Sequence, residues 1–256
     1  MRRTLFTFGF ILAFISAIQP VSAQSAENGC VSCHQQAGFY AQYSKLYAYY
    51  QRYLESPHQL AGVQCNDCHG GNASTNSAQE AHIGVSPMND KNSTLHYLQQ
   101  PETCGLCHKE KQAQFIQSKH FAALIEHHAA PTCTTCHPAM LGRPELRSIV
   151  LNACRNCHGE GNSDNLPQIA DRAEDIFNKI NMSAGLLGWT KYYYESNELS
   201  NDDQDYVRGL ENSYADILNL VHQFDMQKTE DAVIELLKKL NEDFERVRLD
   251  YEQQMD

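Results

Sequence analysis

All ten cysteines of the 256-residue chain belong to one motif, Cys-x-x-Cys-His, which occurs five times. In chain order the copies are Cys30-x-x-Cys33-His34, Cys65-x-x-Cys68-His69, Cys104-x-x-Cys107-His108, Cys133-x-x-Cys136-His137 and Cys154-x-x-Cys157-His158. Two thiols at this spacing reach the two vinyl groups on one porphyrin edge, and the adjacent imidazole binds the iron from the proximal face. The sequence therefore predicts five covalently bound haem c groups, each with one of these histidines as proximal ligand.

Other uses of paired cysteines fit the pattern less well. A disulfide framework does not require a histidine after every second cysteine. Structural zinc sites combine two cysteine pairs, and five pairs is an odd number. Thiol redox centres usually occur once in a protein. Haem attachment explains all ten cysteines and all five adjacent histidines together.

Each predicted haem iron has a second axial position, and seven histidines outside the motifs are candidates for it. The first five candidates are His58, His82, His96, His120 and His222, and the adjacent pair His127 and His128 is less favoured. Methionine is the alternative ligand, with Met88 and Met140 in the haem region, and it would raise the reduction potential. For His222, a packing role inside a helical core is the alternative to ligation. Mostly bis-histidine coordination predicts low potentials, which suit anaerobic respiration.

The chain offers about 30 residues for each haem, too few to enclose each one in its own apolar pocket. We therefore expect the haems to pack against one another and to form much of the core. Regular helices are predicted for 36–55, 168–187, 203–224 and 229–253 from apolar or aromatic spacing. Trp189 and Tyr192 to Tyr194 are assigned to a turn between helices. The predicted fold is mainly α with extensive irregular haem-binding loops, a haem-packed core and a C-terminal helical hairpin or bundle.

The N-terminus resembles a secretory signal peptide. Arg2 and Arg3 precede an apolar run over 5–18, and Val21-Ser22-Ala23 supplies the small residues of a cleavage site. The run is too short for a membrane span, which needs roughly 20 residues. Cleavage before Gln24 predicts a protein of the periplasm or the extracellular side, with no stable membrane insertion afterwards.

Charge divides the remaining chain near residue 160. Residues 24–160 hold 9 basic and 10 acidic side chains, whereas 161–256 hold 9 basic and 21 acidic ones. An acidic surface of this kind disfavours nucleic acid and anionic lipid as partners. The predicted organisation is a signal peptide (1–23), a pentahaem cytochrome region (24–160) and an acidic helical region packing on it (161–256).

The order of motifs resembles the multihaem cytochrome c superfamily of the tetrahaem cytochrome c of nitrifiers, pentahaem nitrite reductase and hydroxylamine oxidoreductase. The resemblance lies in Ser56-x-His58 before the second motif, Ser118-x-His120 before the fourth, and the Val221-His222 step on a C-terminal helix. It implies that His222 serves the haem of His137 and that His120 serves the haem of His158. The lysine that replaces a motif histidine in the nitrite reductases is absent here.

These observations predict an electron-transfer protein rather than an enzyme. The expected partners are redox proteins, a quinol-oxidising membrane cytochrome as donor and a terminal reductase as acceptor. Two alternatives remain. One is a small multihaem reductase or oxidase of nitrogen or sulfur compounds with one open haem. The other is a subunit of a haem-lined extracellular filament.

Overall fold

The computed structural model describes residues 28–137, 143–161, 166–196 and 200–255. The signal-peptide prediction for 1–23 and the candidate ligand Met140 lie outside these residues. The described chain consists of helices joined by turns and loops, so the mainly α prediction is confirmed. Among the described residues, no helix combines the length and the apolar character needed to cross a membrane.

The first part of the chain folds into short helices, most of them built around the cysteine motifs or the candidate ligands. They are α1 (Gly29–His34), α2 (Ala37–Gln42), α3 (Ser44–Leu54), α4 (Pro57–Leu60), α5 (Cys65–His69), α6 (Ala78–Ala81), α7 (Gln100–Gly105), α8 (Lys109–Phe115), α9 (Lys119–His127), α10 (Cys133–Cys136) and α11 (Arg143–His158). The single helix predicted for 36–55 is broken at Tyr43, whose φ of −134° and ψ of 54° are not helical. This part also holds more regular structure between its motifs than expected.

Three long helices follow: α12 (Pro167–Ser196), α13 (Asn201–Leu220) and α14 (Met226–Met255). A 3₁₀ turn, Val221–Gln223, lies between α13 and α14. Their shared core consists of apolar side chains that recur at helical spacing: Ile176, Ile180, Leu187, Leu210, Ile217, Val233, Leu236 and Leu240. Burial of such an amphipathic face is the main source of stability for helices in proteins. The predicted C-terminal helical bundle is therefore present.

The turn predicted at Trp189 and Tyr192 to Tyr194 is wrong, because these residues lie inside α12. Trp189 stacks on Tyr193, four residues later, and its ring also packs on Phe244 of α14 at 4.6 Å. Tyr194 is buried, and its hydroxyl donates a hydrogen bond to Asp243 at 2.9 Å. The aromatic run therefore extends the helical interface with α14 rather than ending the helix.

The two parts of the chain differ in how they bury apolar side chains. Among the described residues of 28–161, the large apolar side chains that are buried are Phe115, Leu124 and Leu151. Most of the other buried apolar side chains belong to the three long helices. Helix α11 packs on α12, and an ion pair of 2.7 Å between Arg155 and Glu174 joins them. The described part of the motif region thus buries few large apolar side chains of its own.

Candidate haem-binding site

Each cysteine motif lies on or next to a helical turn, which explains its spacing. Residues three and four apart lie on the same face of a helix. In α5, this geometry places Cys65, Cys68 and His69 along one side of a single turn. The first motif occupies α1 in the same way, and the fourth and fifth lie on α10 and α11. The third motif starts in α7 and ends at His108, the residue that precedes α8.

Four of the five motif histidines face a second histidine at nearly the same separation. The ring-centre distances are 6.1 Å for His34–His82, 6.1 Å for His58–His108, 6.1 Å for His120–His158 and 5.9 Å for His137–His222. Two imidazoles that bind one iron from opposite faces, at about 2 Å per bond, place their ring centres roughly 6 Å apart. The spacing of all four pairs therefore fits one haem iron between the rings.

Helix starts position two of the second histidines. The buried Ser56 hydroxyl accepts a hydrogen bond from the Gln59 amide, which places His58 in the first turn of α4. Ser118 caps α9 in the same way, with His120 as the second helical residue. A serine cap satisfies one of the free amides at a helix start. The Ser-x-His pattern thus fixes each histidine on a short, capped helix.

Main-chain hydrogen bonds orient two other second histidines. The Nδ1 of His82 lies 2.7 Å from the Ala78 carbonyl oxygen, and the Nδ1 of His222 lies 3.1 Å from that of Leu218. An Nδ1–H that donates to a carbonyl fixes the tautomer and leaves Nε2 available for a metal. His222 lies in the 3₁₀ turn after α13, and not on the helix that we predicted for 203–224.

A tight backbone contact holds the His82 segment against the second motif. Gly71 has a φ of +87°, and a Cβ atom there would lie 2.5 Å from the Ala81 carbonyl oxygen. The Asn72 amide also donates a hydrogen bond to that oxygen at 3.0 Å. Only glycine allows both this conformation and this approach. The loop over 72–77 therefore positions α6 and His82 near His34.

The histidine environment favours the neutral imidazole that a metal requires. Burial, followed by the neighbouring His82, lowers the pKa of His34. Burial, followed by His137, lowers the pKa of His222. Burial alone lowers the pKa of His69. Because only deprotonated nitrogen binds a metal, these shifts reduce the competition from protons.

The remaining candidate ligands lie apart from these pairs. The ring of His96 packs on Tyr97 at 4.4 Å, and its Nδ1 is buried without a hydrogen-bond partner in the described chain. His127 and His128 are exposed at the end of α9, and His128 has a left-handed backbone. The described residues include all twelve histidines of the chain. Among them, His69 is the motif histidine whose ring contacts no other histidine ring.

Successive motifs are also neighbours in space. The Cys65 thiol lies within electrostatic range of Cys30, and the Cys68 thiol within range of Cys104. Farther along the chain, the neighbouring Cys133 thiol raises the pKa of Cys104. The fourth and fifth motifs are close in the same way, since burial, helped by the thiols of Cys154 and Cys157, raises the pKa of Cys136. The thiols that would attach the porphyrin in one motif thus lie within electrostatic range of those in the next.

A buried glutamine ties the third motif to the fourth. The Gln100 side-chain oxygen accepts hydrogen bonds from the Thr132 hydroxyl at 2.5 Å, the Thr134 amide at 3.2 Å and the Thr134 hydroxyl at 2.8 Å. The Gln100 amide group donates to the Leu95 carbonyl at 3.1 Å. Sequence reasoning missed this residue, because nothing in the Gln99-Gln100 pair before Pro101 signals a tertiary contact.

Two family profiles match the chain. The family described as cytochrome c7 and related cytochrome c matches residues 50–138, and the family of cytochrome c554 and c-prime matches residues 13–70. The C-type polyheme cytochrome OmcB of Geobacter sulfurreducens, found in two strains, is 32% identical over 124 residues. The aligned part is 45% of this chain but only 14% of OmcB. No solved structure matches the chain.

These matches show that the chain is similar to multihaem c-type cytochromes, the class that the sequence predicted. Proteins of this class carry covalent haem c and transfer electrons, and the cysteine motifs and facing histidines described above are the residues that fit this cofactor.

Proposed function

We propose that the chain is a five-haem electron carrier of the periplasm or the extracellular side. It accepts electrons from a quinol-oxidising membrane cytochrome and delivers them to a terminal reductase in anaerobic respiration. The observation that carries the proposal is the electrostatic proximity of the attachment thiols of each motif to those of the next. Because thioethers form at a porphyrin edge, this proximity favours short distances between successive haems. The haem iron, when bound, supplies the ferric–ferrous couple.

The proposed electron path follows the order of the motifs along the chain, from the haem of His34 to that of His158. The four histidine pairs support reversible electron transfer, because two strong ligands leave no iron position for substrate in those haems. A soluble carrier needs an entry and an exit, and the first and last motifs provide the two ends of the path.

The haem count and the carrier role are tested together on the purified holoprotein. Intact-mass spectrometry should give the polypeptide from Gln24 plus five haem masses. A potentiometric titration should then show a reversible uptake of five electrons, without turnover of nitrite or hydroxylamine. Four or fewer covalent haems would refute the count, and turnover of either compound would refute the assignment as a simple carrier.

The environment of His69 favours a second candidate function, a small reductase or oxidase. This half-buried imidazole is the one motif histidine without a ring contact to a second histidine in the described chain. Among the candidate ligands that face no other motif histidine, His96 is the nearest along the sequence. The Thr94 hydroxyl, two residues before it, donates to the Cys68 carbonyl at 2.5 Å. A ferric spectrum with one high-spin haem in five would support this function, particularly if His96→Ala leaves it unchanged. Five low-spin haems would exclude it.

A further inference from the structure

The turn between α13 and α14 has an unusual backbone for the residue that it contains. Phe224 follows the 3₁₀ turn with φ of 55° and ψ of 21°, in the left-handed region. Glycine and asparagine adopt this conformation readily, whereas a bulky aromatic residue does so at a cost. Phe224 and His128 are the described non-glycine residues with positive φ. A phenylalanine at this position suggests that its side chain makes contacts that offset the backbone cost.

Those contacts lie against a proposed haem ligand. The Phe224 ring meets the His120 ring edge to face, with 4.4 Å between ring centres and 79° between planes. Phe115, which is buried, meets Phe224 at 6.3 Å and Phe121 at 5.7 Å. His120 also faces His158 at 6.1 Å. The aromatic group around Phe224 therefore restricts the orientation of one imidazole of the His120–His158 pair.

The same turn contacts a second histidine pair. His222, two residues before Phe224, faces His137 at 5.9 Å. Gln223, the residue between His222 and Phe224 in the chain, donates a hydrogen bond to the Gln117 side chain at 2.9 Å and accepts one from Lys228 at 3.1 Å. A single turn of the acidic helical bundle thus reaches the pairs of the last two motifs.

We propose that Phe224 is a positioning residue that fixes the imidazole plane of His120. Through the turn over 221–224, the helical bundle thereby controls axial coordination at the two haems attached by the fourth and fifth motifs. The proposal rests on the five-haem assignment made above. An imidazole bound to iron is free to rotate about the iron–nitrogen bond unless neighbours prevent it, and the plane that it adopts sets the anisotropy of the ferric iron.

The test uses electron paramagnetic resonance of the ferric holoprotein and its rate of cyanide binding. Phe224→Gly removes the ring and suits the left-handed backbone, so we expect one low-spin signal of the five to shift its g values. Cyanide should reach that haem about tenfold faster or more, because the anchored imidazole is released more easily. Phe224→Leu keeps apolar bulk but lacks a flat ring, so we expect the same shift in g values. This second variant keeps the test decisive if Phe224→Gly does not fold.

Two variants control for effects that do not involve ring contact. Phe224→Tyr retains the ring and should keep the wild-type spectrum. Phe244→Leu removes a phenylalanine that packs on Trp189 within the bundle and should also leave all signals unchanged. Unchanged g values in both Phe224→Gly and Phe224→Leu, in protein shown by mass to carry five haems, would overturn the proposal. Fewer than five haems in the wild type would instead refute the proposed function.

Discussion

At the scale of single residues, the histidine pairs carry most of the functional argument. A pair of imidazoles about 6 Å apart is an unfavourable arrangement for protonated rings, since like charges repel at short range. The pairs remain close because burial and neighbouring histidines keep members such as His34 and His222 neutral. Neutral, fixed imidazoles are the state that an iron ligand requires.

Replacement of His222 by alanine tests the pairing with His137. We expect one of the five proposed haems to become high-spin and to bind cyanide, because its iron loses the sixth ligand, while the others stay low-spin. The measurement is the ferric absorption spectrum with a cyanide titration. His127→Ala is the matched control, since His127 is exposed and faces no motif histidine. If His222→Ala stays fully low-spin, His222 has only a packing role.

The sequence shows which residues could bind a haem more readily than it shows which histidines pair with one another. The motif cysteines and histidines follow directly from spacing. The pairings of His222 with His137 and of His120 with His158 were suggested by family resemblance, and the structure brings these rings together. The His34–His82 pair had no such signal, because it depends on the loop that follows the second motif. Ring contacts of this kind are tertiary, and periodicity along the chain does not report them.

At the scale of elements, short helices act as mounts for single side chains. Helices of four to six residues are not stable alone, because the free energy lost in fixing the first turn exceeds the free energy gained from so few hydrogen bonds. Caps such as Ser56 and Ser118, both buried, compensate for part of that cost. The sequence predicted the long bundle helices from their apolar stripes, but these short helices lack the length to show a period.

Gln100 connects two such elements, and its removal should weaken the contact between α7 and α10. Gln100→Ala leaves the buried Thr132 hydroxyl and the half-buried Thr134 hydroxyl without their acceptor, so we expect a loss of roughly 1–3 kcal/mol in unfolding free energy. Guanidinium unfolding of the holoprotein gives the value. Gln99→Ala is the control, because the adjacent Gln99 is exposed and makes no side-chain cap. Equal stability of the two variants would show that the Gln100 hydrogen bonds contribute little.

A second element-scale prediction concerns Tyr194 of α12, which bonds to Asp243 of α14 and also contacts Arg246. Burial, together with the Asp243 hydrogen bond, raises the pKa of Tyr194 to about 12. Because the folded protein holds the Tyr194 proton more tightly than the unfolded chain does, this tyrosine stabilises the fold at pH values below its unfolded pKa of about 10. The stabilisation is lost as the pH rises from about 10 to about 12. Tyr194→Phe should therefore destabilise the protein at pH 7 by roughly 1–3 kcal/mol and reduce its alkaline loss of stability.

Denaturant unfolding at pH 7 and pH 11 measures both effects of the Tyr194 change. Tyr192→Phe is the control on the same helix, since Tyr192 is 72% exposed. A Tyr194 variant with the same pH dependence as the wild type would show that another group dominates the alkaline transition. The haem spectra should be unchanged in both variants, because the Tyr194–Asp243 contact lies within the helical bundle.

At the scale of the whole molecule, the motif region and the helical bundle have different roles. The motif region holds most of the proposed haem ligands, whereas the bundle supplies an apolar core, most of the negative charge and the candidate ligand His222. The turn over 221–224 connects them, so bundle stability and coordination at the last two motifs should be linked. Composition alone predicted the charge division near residue 160. The connection through His222 and Phe224 required the fold, because it depends on contacts of α8 and α9 with the turn over 221–224.

The uneven charge predicts how the protein would associate with the redox partners proposed above. Residues 161–256 carry 12 more acidic than basic side chains, so a basic partner should be attracted before contact. The screening length falls from about 30 Å at 0.01 M salt to about 3 Å at 1 M, and long-range attraction falls with it. We therefore expect electron exchange with a basic probe protein, of the mitochondrial cytochrome c type, to slow steadily as salt rises.

Stopped-flow mixing measures the rate, and an uncharged redox dye controls for salt effects on the haems themselves. A protein–protein rate that stays flat while the dye rate is also constant would show that the acidic surface faces away from the site of electron exchange.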